Sequence, residues 1–296
     1  MSPMHDLAYL DGTYLPRSEA RVSVEDRGFL FADGVYEVTR YYGGRPFLLA
    51  EHVERFRKSL AAVRIELDWQ RHDLERISHE LVQRSGLADA QVYWQVTRGT
   101  APRKHPFPSP PVPPTVLALV YPEPKLDARA AVRSLRAITR PDIRWKNCAI
   151  KSISLLPNIL DTQAAVDAGV DAAILVRDGV VTECPSRSVF VVERGALLTY
   201  PLDGTVLESI TRAVVLELAR ENGTPAREEG PRAERLAQAD EVFVVGTTTE
   251  VTAVVEVDGQ RIGTGRPGPL TERLQRLFVE RVARTCGLRE DASMAP

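Results

Sequence analysis

The sequence predicts a mixed α/β (α+β) protein of two domains. Apolar residues at strand-like and helix-like spacings alternate through the first 120 residues. A segment with two prolines and no periodicity, residues 122–129, then interrupts the pattern, and new strands and helices follow it. A chain of 296 residues is long enough for two domains. We therefore predict a small N-terminal α/β domain over residues 1–121, an interdomain linker over residues 122–129 and a larger C-terminal domain over residues 130–296.

The elements of the N-terminal domain follow from local patterns. Asp11-Gly12 stands between two short apolar runs, which is typical of a hairpin turn. Gly86 follows a helical stripe and predicts the end of a helix. The predicted elements are strands at residues 8–10, 13–15, 35–42, 92–97 and 115–121, and helices at residues 52–63 and 74–87.

The C-terminal domain repeats the alternation. Gly169 and Gly223 close two helical stripes, and Pro269 opens a third. The predicted elements are strands at residues 131–139, 172–176, 180–183, 189–192, 196–199, 241–245 and 253–257, and helices at residues 158–168, 210–222 and 269–286.

The composition excludes several classes of protein. A net charge of -2 gives no electrostatic surface for nucleic acid or anionic membrane. The first residues lack the apolar core of a signal peptide, and no apolar run approaches the roughly 20 residues of a membrane helix. Three cysteines, odd in number and far apart, indicate neither a disulfide framework nor a metal site. We therefore expect a cytoplasmic protein.

Lys151 stands in an apolar, strand-like run between Ala149-Ile150 and Ser152-Ile153. A lysine in such a run either extends its amine to water or loses its charge, and an uncharged amine is a nucleophile that forms Schiff bases with carbonyl cofactors. About thirty residues later, Glu183 follows a predicted strand. Pyridoxal phosphate uses this pair, a lysine for its aldehyde and an acid for its ring nitrogen. The alternative to a cofactor lysine is an ordinary lysine on the solvent-exposed face of a strand.

Gly263-Thr-Gly265-Arg-Pro-Gly268 matches a dinucleotide-binding pattern by letters alone. A polar turn precedes it, Pro267 lies inside it, and the chain is too short after it for a Rossmann unit. We predict a loop.

Two segments are candidates for binding an anion. Thr247 lies in a threonine-rich segment at the end of an apolar strand, and Ile210-Thr211 begins a helix whose first amides lack partners. An ordinary turn and simple helix capping by Ser209 or Thr211 are the alternatives.

A proline-rich loop contains Arg103 and His105, which are two residues apart and could together bind a carboxylate. The alternative is a solvated basic loop. Tyr36 lies at the start of a strand, where its side chain could contact a substrate. The alternative is that it only packs against its neighbours in a half-buried strand.

Taken together, these segments resemble the fold-type IV pyridoxal-phosphate enzymes, and among them most closely the D-amino-acid transaminases. The resemblance spans about residues 9–277. It rests on the strings Glu25-Asp-Arg-Gly-Phe-Leu-Phe-Ala-Asp-Gly-Val-Tyr36-Glu, Gln95 through His105, Asp142-Ile-Arg-Trp through Lys151-Ser, and Thr247-Thr-Thr-Glu250. The Arg-x-His pair distinguishes the D-amino-acid enzymes, and the other strings are shared across the superfamily.

The resemblance implies a larger domain with a β-barrel-like core and pyridoxal 5′-phosphate as cofactor. Lys151 would form the Schiff base and move the proton, while Glu183 would pair with the pyridine nitrogen. Leu207 would pack against the cofactor ring. The implied phosphate ligands are Arg55, Ile210, Thr211 and Thr247.

The resemblance also implies ping-pong transamination between D-amino acids of the D-alanine type and a 2-oxo acid such as 2-oxoglutarate. Tyr36 would face the substrate. Arg103 and His105 would reach it from the neighbouring subunit, so the expected assembly is a homodimer with shared active sites.

One segment departs from the family pattern. Cys184-Pro-Ser-Arg187-Ser188 stands where small hydroxylic residues are usual. Pro185 removes an amide donor, and Arg187 adds a cation that could serve the phosphate or a substrate side-chain carboxylate. Alternatives on the same scaffold are a branched-chain L-transaminase, an (R)-amine transaminase, an aminodeoxychorismate lyase and a non-catalytic binding protein.

Overall fold

The computed structural model describes residues 6–127 and 131–288. Within these residues the chain forms two compact units. The first unit takes in residues up to 126, together with 150–154 and 284–288, and the second takes in the residues between. Pro122 belongs to a strand, the segment 123–127 contains no helix or strand, and residues 128–129 of the predicted linker lie outside the described residues. The domain boundaries drawn from the sequence stay a prediction.

The first unit is an antiparallel sheet with helices. Its strands run in the order β2-β1-β6-β5-β3-β4, and each neighbouring pair is antiparallel. The elements are β1 (Leu7–Leu10), β2 (Thr13–Pro16), α1 (Arg27–Phe31), β3 (Gly34–Tyr42), β4 (Arg45–Pro46), α2 (Leu49–Ala62), α3 (Leu74–Ser85), β5 (Ala90–Thr97) and β6 (Thr115–Pro122).

The core of the first unit lies between the sheet and the apolar stripes of α2 and α3. Phe56 from α2, Ile77 from α3 and Trp94 from β5 are fully buried in one cluster. Burying a side chain of this size stabilises the fold by about 1.5–3 kcal/mol. Trp94 Nε1 also donates to Ser78 Oγ at 2.9 Å, so the buried indole keeps a hydrogen bond. This packing fixes the position of β3 and α2.

The second unit contains a mixed sheet of nine strands. Its elements are β7 (Ser134–Pro141), α4 (Leu156–Asp167), β8 (Ala172–Arg177), β9 (Val180–Val181), β10 (Ser188–Glu193), β11 (Ala196–Thr199), α5 (Ile210–Glu221), β12 (Ala226–Glu228), β13 (Glu241–Gly246), β14 (Glu250–Val257), β15 (Gln260–Arg261) and α6 (Pro269–Thr285).

This sheet curls toward closure, as a barrel does. The strand order is β12-β11-β10-β13-β14-β7-β8-β9, with β15 on β14. The chain just after β12 meets β9 at the opposite edge: the Val181 amide donates to the Pro231 carbonyl at 2.8 Å, and the Ala233 amide donates to the Gly179 carbonyl at 3.0 Å. Hydrogen bonds across the two edges satisfy backbone groups that an open sheet would leave unpaired.

One strand-like run and one predicted strand differ from what the sequence indicates. The segment around Lys151 is not a strand, because its one ladder contact in the described chain is a bridge between Ser152 and Val35. The strand predicted over residues 180–183 ends at Val181. After that residue the Thr182 hydroxyl turns to the Asp142 carboxylate at 2.8 Å. Backbone pairing to β8 continues beyond the strand end, since the Thr182 amide donates to the Leu175 carbonyl at 2.9 Å and the Leu175 amide donates to the Glu183 carbonyl at 2.8 Å.

The glycine-rich segment at residues 263–268 is a loop, as predicted. Glu241 fills the helix start that follows it: its carboxylate accepts from the amides of Leu270 and Thr271 at 2.9 and 2.7 Å. A built Cβ on Gly268 would lie 2.1 Å from the Glu241 side chain. The start of α6 is therefore capped by protein and closed to a phosphate.

None of the described helices is long and apolar enough to cross a membrane.

Candidate active site residues in each unit

In the first unit, Lys151 lies against strand β3. Its carbonyl accepts from the Tyr36 amide at 2.9 Å, and its amide donates to Ser59 Oγ at 3.2 Å. The Lys151 Nζ lies 4.1 Å from the centroid of the Tyr36 ring. The ring face attracts the cation and holds the amine in one place. Two backbone bonds and one aromatic contact therefore fix this half-buried lysine.

Arg55 belongs to a buried charge cluster with Glu37 and His52. Arg55 Nε and Nη2 donate to the two Glu37 carboxylate oxygens at 2.9 and 2.5 Å, and His52 Nδ1 lies 3.0 Å from Glu37 Oε1. Burial alone raises the pKa of Glu37, but Arg55 and His52 lower it below its ordinary value overall. Burial also lowers the pKa of His52. The cluster fixes the guanidinium on the buried side of β3.

Arg103 and His105 lie on the same side of their loop. The Arg103 guanidinium carbon is 5.2 Å from the Phe31 ring centroid, and the His105 ring is 5.5 Å from it. Both side chains are exposed. Arg27 fixes the loop backbone, since its guanidinium donates to the carbonyls of Lys104 and His105 at 2.5 and 3.2 Å. The two side chains thus converge on one ring, as the spacing predicts.

In the second unit, Glu183 is buried beside Arg144. Arg144 Nη1 donates to Glu183 Oε1, and Arg144 Nε and Nη2 donate to Asp142 at 2.9 and 2.8 Å. Arg177 adds a second cation 3.0 Å from Asp142. Burial raises the pKa of Glu183, and Arg144 opposes that rise. The Glu183 carboxylate is therefore held in place by a guanidinium that a second carboxylate positions.

Leu207, three residues before α5, contacts this carboxylate. The Leu207 amide donates to Glu183 Oε2 at 3.4 Å. Ser209 caps α5 by accepting from the Arg212 amide at 3.1 Å. Ile210 and Thr211 occupy the first turn, where amides have no intrahelical acceptor. Their amides are suited to an anionic oxygen.

Thr247 follows the end of β13, and the adjoining loop contains Arg187. Strand β10 pairs with β13 through Ser188 and Val245, which brings residue 187 beside the end of β13. Arg187 Nε donates to Thr249 Oγ1 at 2.9 Å. Arg187 and Thr249 therefore meet at the end of this strand pair that Thr247 follows.

The sequence profile of the amino-transferase class IV family matches residues 34–257. The chain belongs to this family. Among curated relatives, the D-alanine aminotransferase of Bacillus licheniformis is 43% identical over 265 residues, which cover 90% of this chain and 93% of that protein. The D-alanine aminotransferase of Staphylococcus haemolyticus is 39% identical over 272 residues, covering 91% and 95%. The D-amino-acid transaminase resemblance is thus confirmed.

Solved structures confirm the fold type of this class IV aminotransferase. A branched-chain amino acid aminotransferase of T.th., solved with pyridoxamine 5′-phosphate, superposes with a TM-score of 0.86 at 29% identity, covering 97% of this chain and 96% of that one. The branched-chain enzyme of Escherichia coli gives a TM-score of 0.85 at 27% identity, covering 93% and 94%. The predicted fold class and the predicted enzyme class, a transaminase, are both confirmed.

The sequence analysis gave no role to four charged residues of this aminotransferase: Glu37, His52, Asp142 and Arg144. The signal for Glu37 was available, since it alternates with Tyr36 along β3 and so points to the other face. Asp142 and Arg144 belong to the family segment that ends at Lys151, yet only the folded chain shows that Arg144 bonds Glu183 and that Asp142 bonds Arg144. Such a contact across 39 residues has no local pattern.

Proposed function

We propose that this aminotransferase transfers the amino group of D-amino acids, D-alanine among them, to a 2-oxo acid such as 2-oxoglutarate. The observation that carries the proposal is the 43% identity to a D-alanine aminotransferase over nine-tenths of the chain. The Arg103 and His105 loop supports it, because two basic side chains on one ring suit a carboxylate.

The residues present fit pyridoxal 5′-phosphate. Lys151 offers an amine held at 4.1 Å from an aromatic face, and Glu183 offers a buried carboxylate for a ring nitrogen. The first-turn amides at Ile210 and Thr211, with Thr247, are donors for a phosphate. Arg55 would add its charge to that set, with Glu37 orienting the guanidinium.

When bound, the cofactor supplies an electron sink for the bond to the substrate Cα. The Lys151 Nζ would take the proton from the substrate Cα as a base and deliver it, as an acid, to the cofactor carbon that receives the amino group. Tyr36 guides this transfer, because its ring contact and the two backbone bonds restrict where the amine can swing.

Glu183 keeps a proton on the ring nitrogen of the cofactor by offering it a negative charge. Arg144 matters here because it opposes the rise in the pKa of Glu183 that burial causes. The Leu207 amide adds a second donor to the same carboxylate, and the Leu207 side chain would pack on the ring.

We further propose a homodimer in which Arg103 and His105 reach the substrate of the neighbouring subunit. Both side chains are exposed and fastened through Phe31 of their own chain. Val24 and Phe29 in the same unit are each 75% exposed. Exposed large apolar side chains support an interface between subunits.

We propose the cytoplasm as the place of action. All three cysteines are free thiols in the structure, which suits a reducing compartment.

The decisive assay offers D-alanine or L-alanine, and separately L-valine, with 2-oxoglutarate to the cofactor-loaded enzyme. Pyruvate released from D-alanine alone supports the proposal. Faster turnover of L-valine than of D-alanine would instead favour a branched-chain L-transaminase, to which the solved relatives belong.

A further inference from the structure

Arg187 sits on a rigid turn in the second unit. The Cys184 amide donates to the Arg187 carbonyl at 2.8 Å, which closes the turn. Asn158 on α4 donates to the Pro185 carbonyl at 2.5 Å. A proline inside a closed turn further restricts the backbone. The backbone that carries Arg187 is thus held in one conformation before any ligand binds.

The Arg187 side chain is also held along its length. Its Nε donates to Thr249 Oγ1 at 2.9 Å. A built Cβ on Gly246 would lie 3.7 Å from Arg187 Cγ, so the long side chain runs over a residue that has no side chain. Fixing Nε and the aliphatic part lowers the entropy that the guanidinium loses when it binds a ligand.

The two terminal nitrogens of the Arg187 guanidinium are available to donate hydrogen bonds to a ligand. Among the described residues, Arg187 Nη1 and Nη2 make no hydrogen bond, and no carboxylate forms an ion pair with Arg187. The side chain is half-buried. Two parallel N–H groups on one planar end match the two oxygens of a carboxylate.

The neighbours of Arg187 locate this end relative to the proposed cofactor ligands. Its backbone bonds Cys184, the residue after Glu183, and its side chain covers Gly246, the residue before Thr247. Arg187 therefore lies between the residue proposed for the ring nitrogen and a residue proposed for the phosphate. The proposed function assigns the phosphate to the α5 amides and Arg55, whereas Arg187 is the one cation in the segment 184–188 that a substrate side chain could use.

We infer that Arg187 determines specificity by binding the distal carboxylate of a dicarboxylic substrate, a 2-oxo acid or D-amino acid with a carboxylate on its side chain. This inference rests on the proposed function, since it assigns a substrate class to that same site. Glutamate-like substrates would use the contact, and alanine-like substrates would not.

The first test measures binding without turnover. Glutarate, a dicarboxylate that cannot react, and butyrate, its monocarboxylate counterpart, are titrated into the cofactor-loaded enzyme by calorimetry. Arg187→Met should weaken glutarate by about tenfold or more, which is the size of one charge-assisted bidentate contact, and leave butyrate unchanged. Thr249→Val, which removes the acceptor for Nε, should weaken glutarate by a smaller factor.

Arg133→Met is the matched control. Arg133 is an exposed arginine whose Nη2 donates to the Thr249 carbonyl, so it touches the same loop from outside. Its loss should leave glutarate binding as in the wild type. Equal weakening by Arg133→Met and Arg187→Met would mean a general charge effect and would overturn the inference.

The second test separates this inference from the proposed function. Single-turnover absorbance of the bound cofactor is followed with D-glutamate and with D-alanine. In Arg187→Met the rate ratio of D-glutamate to D-alanine should fall about tenfold or more, with the dissociation constant of the cofactor unchanged. Normal D-alanine turnover with an unaltered ratio of D-glutamate to D-alanine rates would overturn the inference about Arg187 and leave the proposed function standing.

Two further outcomes are decisive. Weaker cofactor binding in Arg187→Met with an unaltered substrate ratio would make Arg187 a phosphate ligand and overturn the inference. Absence of turnover with any D-amino acid would overturn the proposed function, while the glutarate titration would still report on the Arg187 site.

Discussion

Arg144 donates to the carboxylate of Glu183, and both side chains are buried. Asp142 and Arg177 continue this pair into a chain of alternating charges. Burying two charges is costly unless they are paired and hydrogen-bonded, and here each has a partner. The arrangement fixes the position of the Glu183 carboxylate in the second unit.

Arg144→Met should leave Glu183 as an unpaired buried charge. Loss of one partner of a buried pair costs about 3–5 kcal/mol of unfolding free energy. Because Arg144 opposes the rise in the pKa of Glu183, its loss should also move the acid limb of the pH–rate profile to higher pH. Thermal unfolding and kcat against pH measure the two effects.

Arg76→Met is the control for that experiment. Arg76 pairs with Glu80 four residues away on an exposed face of α3. Such pairs contribute about 0.3–0.5 kcal/mol. A loss in Arg144→Met no larger than in this control, with an unchanged pH profile, would count against the role given to Arg144.

Glu37 should make stability depend on pH. Its pKa in the folded state lies below the ordinary value, so its ionised form stabilises the fold. That contribution is fully present above the unfolded pKa of about 4.3 and is lost as the pH falls from there toward the folded value. The melting temperature of the wild type should therefore drop on acidification more than that of Glu37→Gln.

At neutral pH, Glu37→Gln should be less stable than the wild type, because Arg55 then lacks its buried carboxylate. Glu66→Gln removes an exposed carboxylate and is the matched control. Parallel pH curves for the wild type and Glu37→Gln would show that Glu37 does not titrate with folding.

Tyr36 should act through its ring face. Tyr36→Phe keeps the face that meets the Lys151 amine at 4.1 Å, whereas Tyr36→Leu removes it. A contact of this kind is worth about 0.5–2 kcal/mol, so Leu should slow the proton transfer about two- to thirtyfold more than Phe does. The deuterium effect on D-alanine labelled at Cα reports the step. Equal rates of proton transfer in the two variants would show that the Tyr36 ring does not contribute to this step.

Much of the fold follows from the sequence because periodicity and turns are local. The Asp11-Gly12 hairpin and the Gly86 helix end are found as predicted. The apolar run around Lys151 indicated a strand, but its residues pack without forming a ladder of backbone hydrogen bonds. The candidate site residues were inferred from the family strings, and their roles stay predictions. The alternation along β3 could have indicated Glu37, but His52, Asp142 and Arg144 were missed because ion pairs between distant elements leave no spacing in the sequence.

Arg103 tests the shared site. Arg103→Met should raise the KM for D-alanine about tenfold or more through loss of a charge-assisted contact, with the absorbance of the bound cofactor intact. If the proposed dimer shares its sites, Lys151→Ala chains mixed with Arg103→Met chains should regain partial activity, because one site then has both residues. No recovery after verified subunit exchange would place Arg103 and Lys151 on the same chain's site.

Borohydride reduction of the cofactor-loaded enzyme tests the central claim most directly, since it makes a Schiff base permanent. Mass spectrometry of the digested protein should find the pyridoxyl group on Lys151, and Lys151→Ala should carry none. Lys146, an exposed lysine five residues earlier, is the internal control. A group found on Lys146 or another lysine, with Lys151 unmodified, would contradict the account.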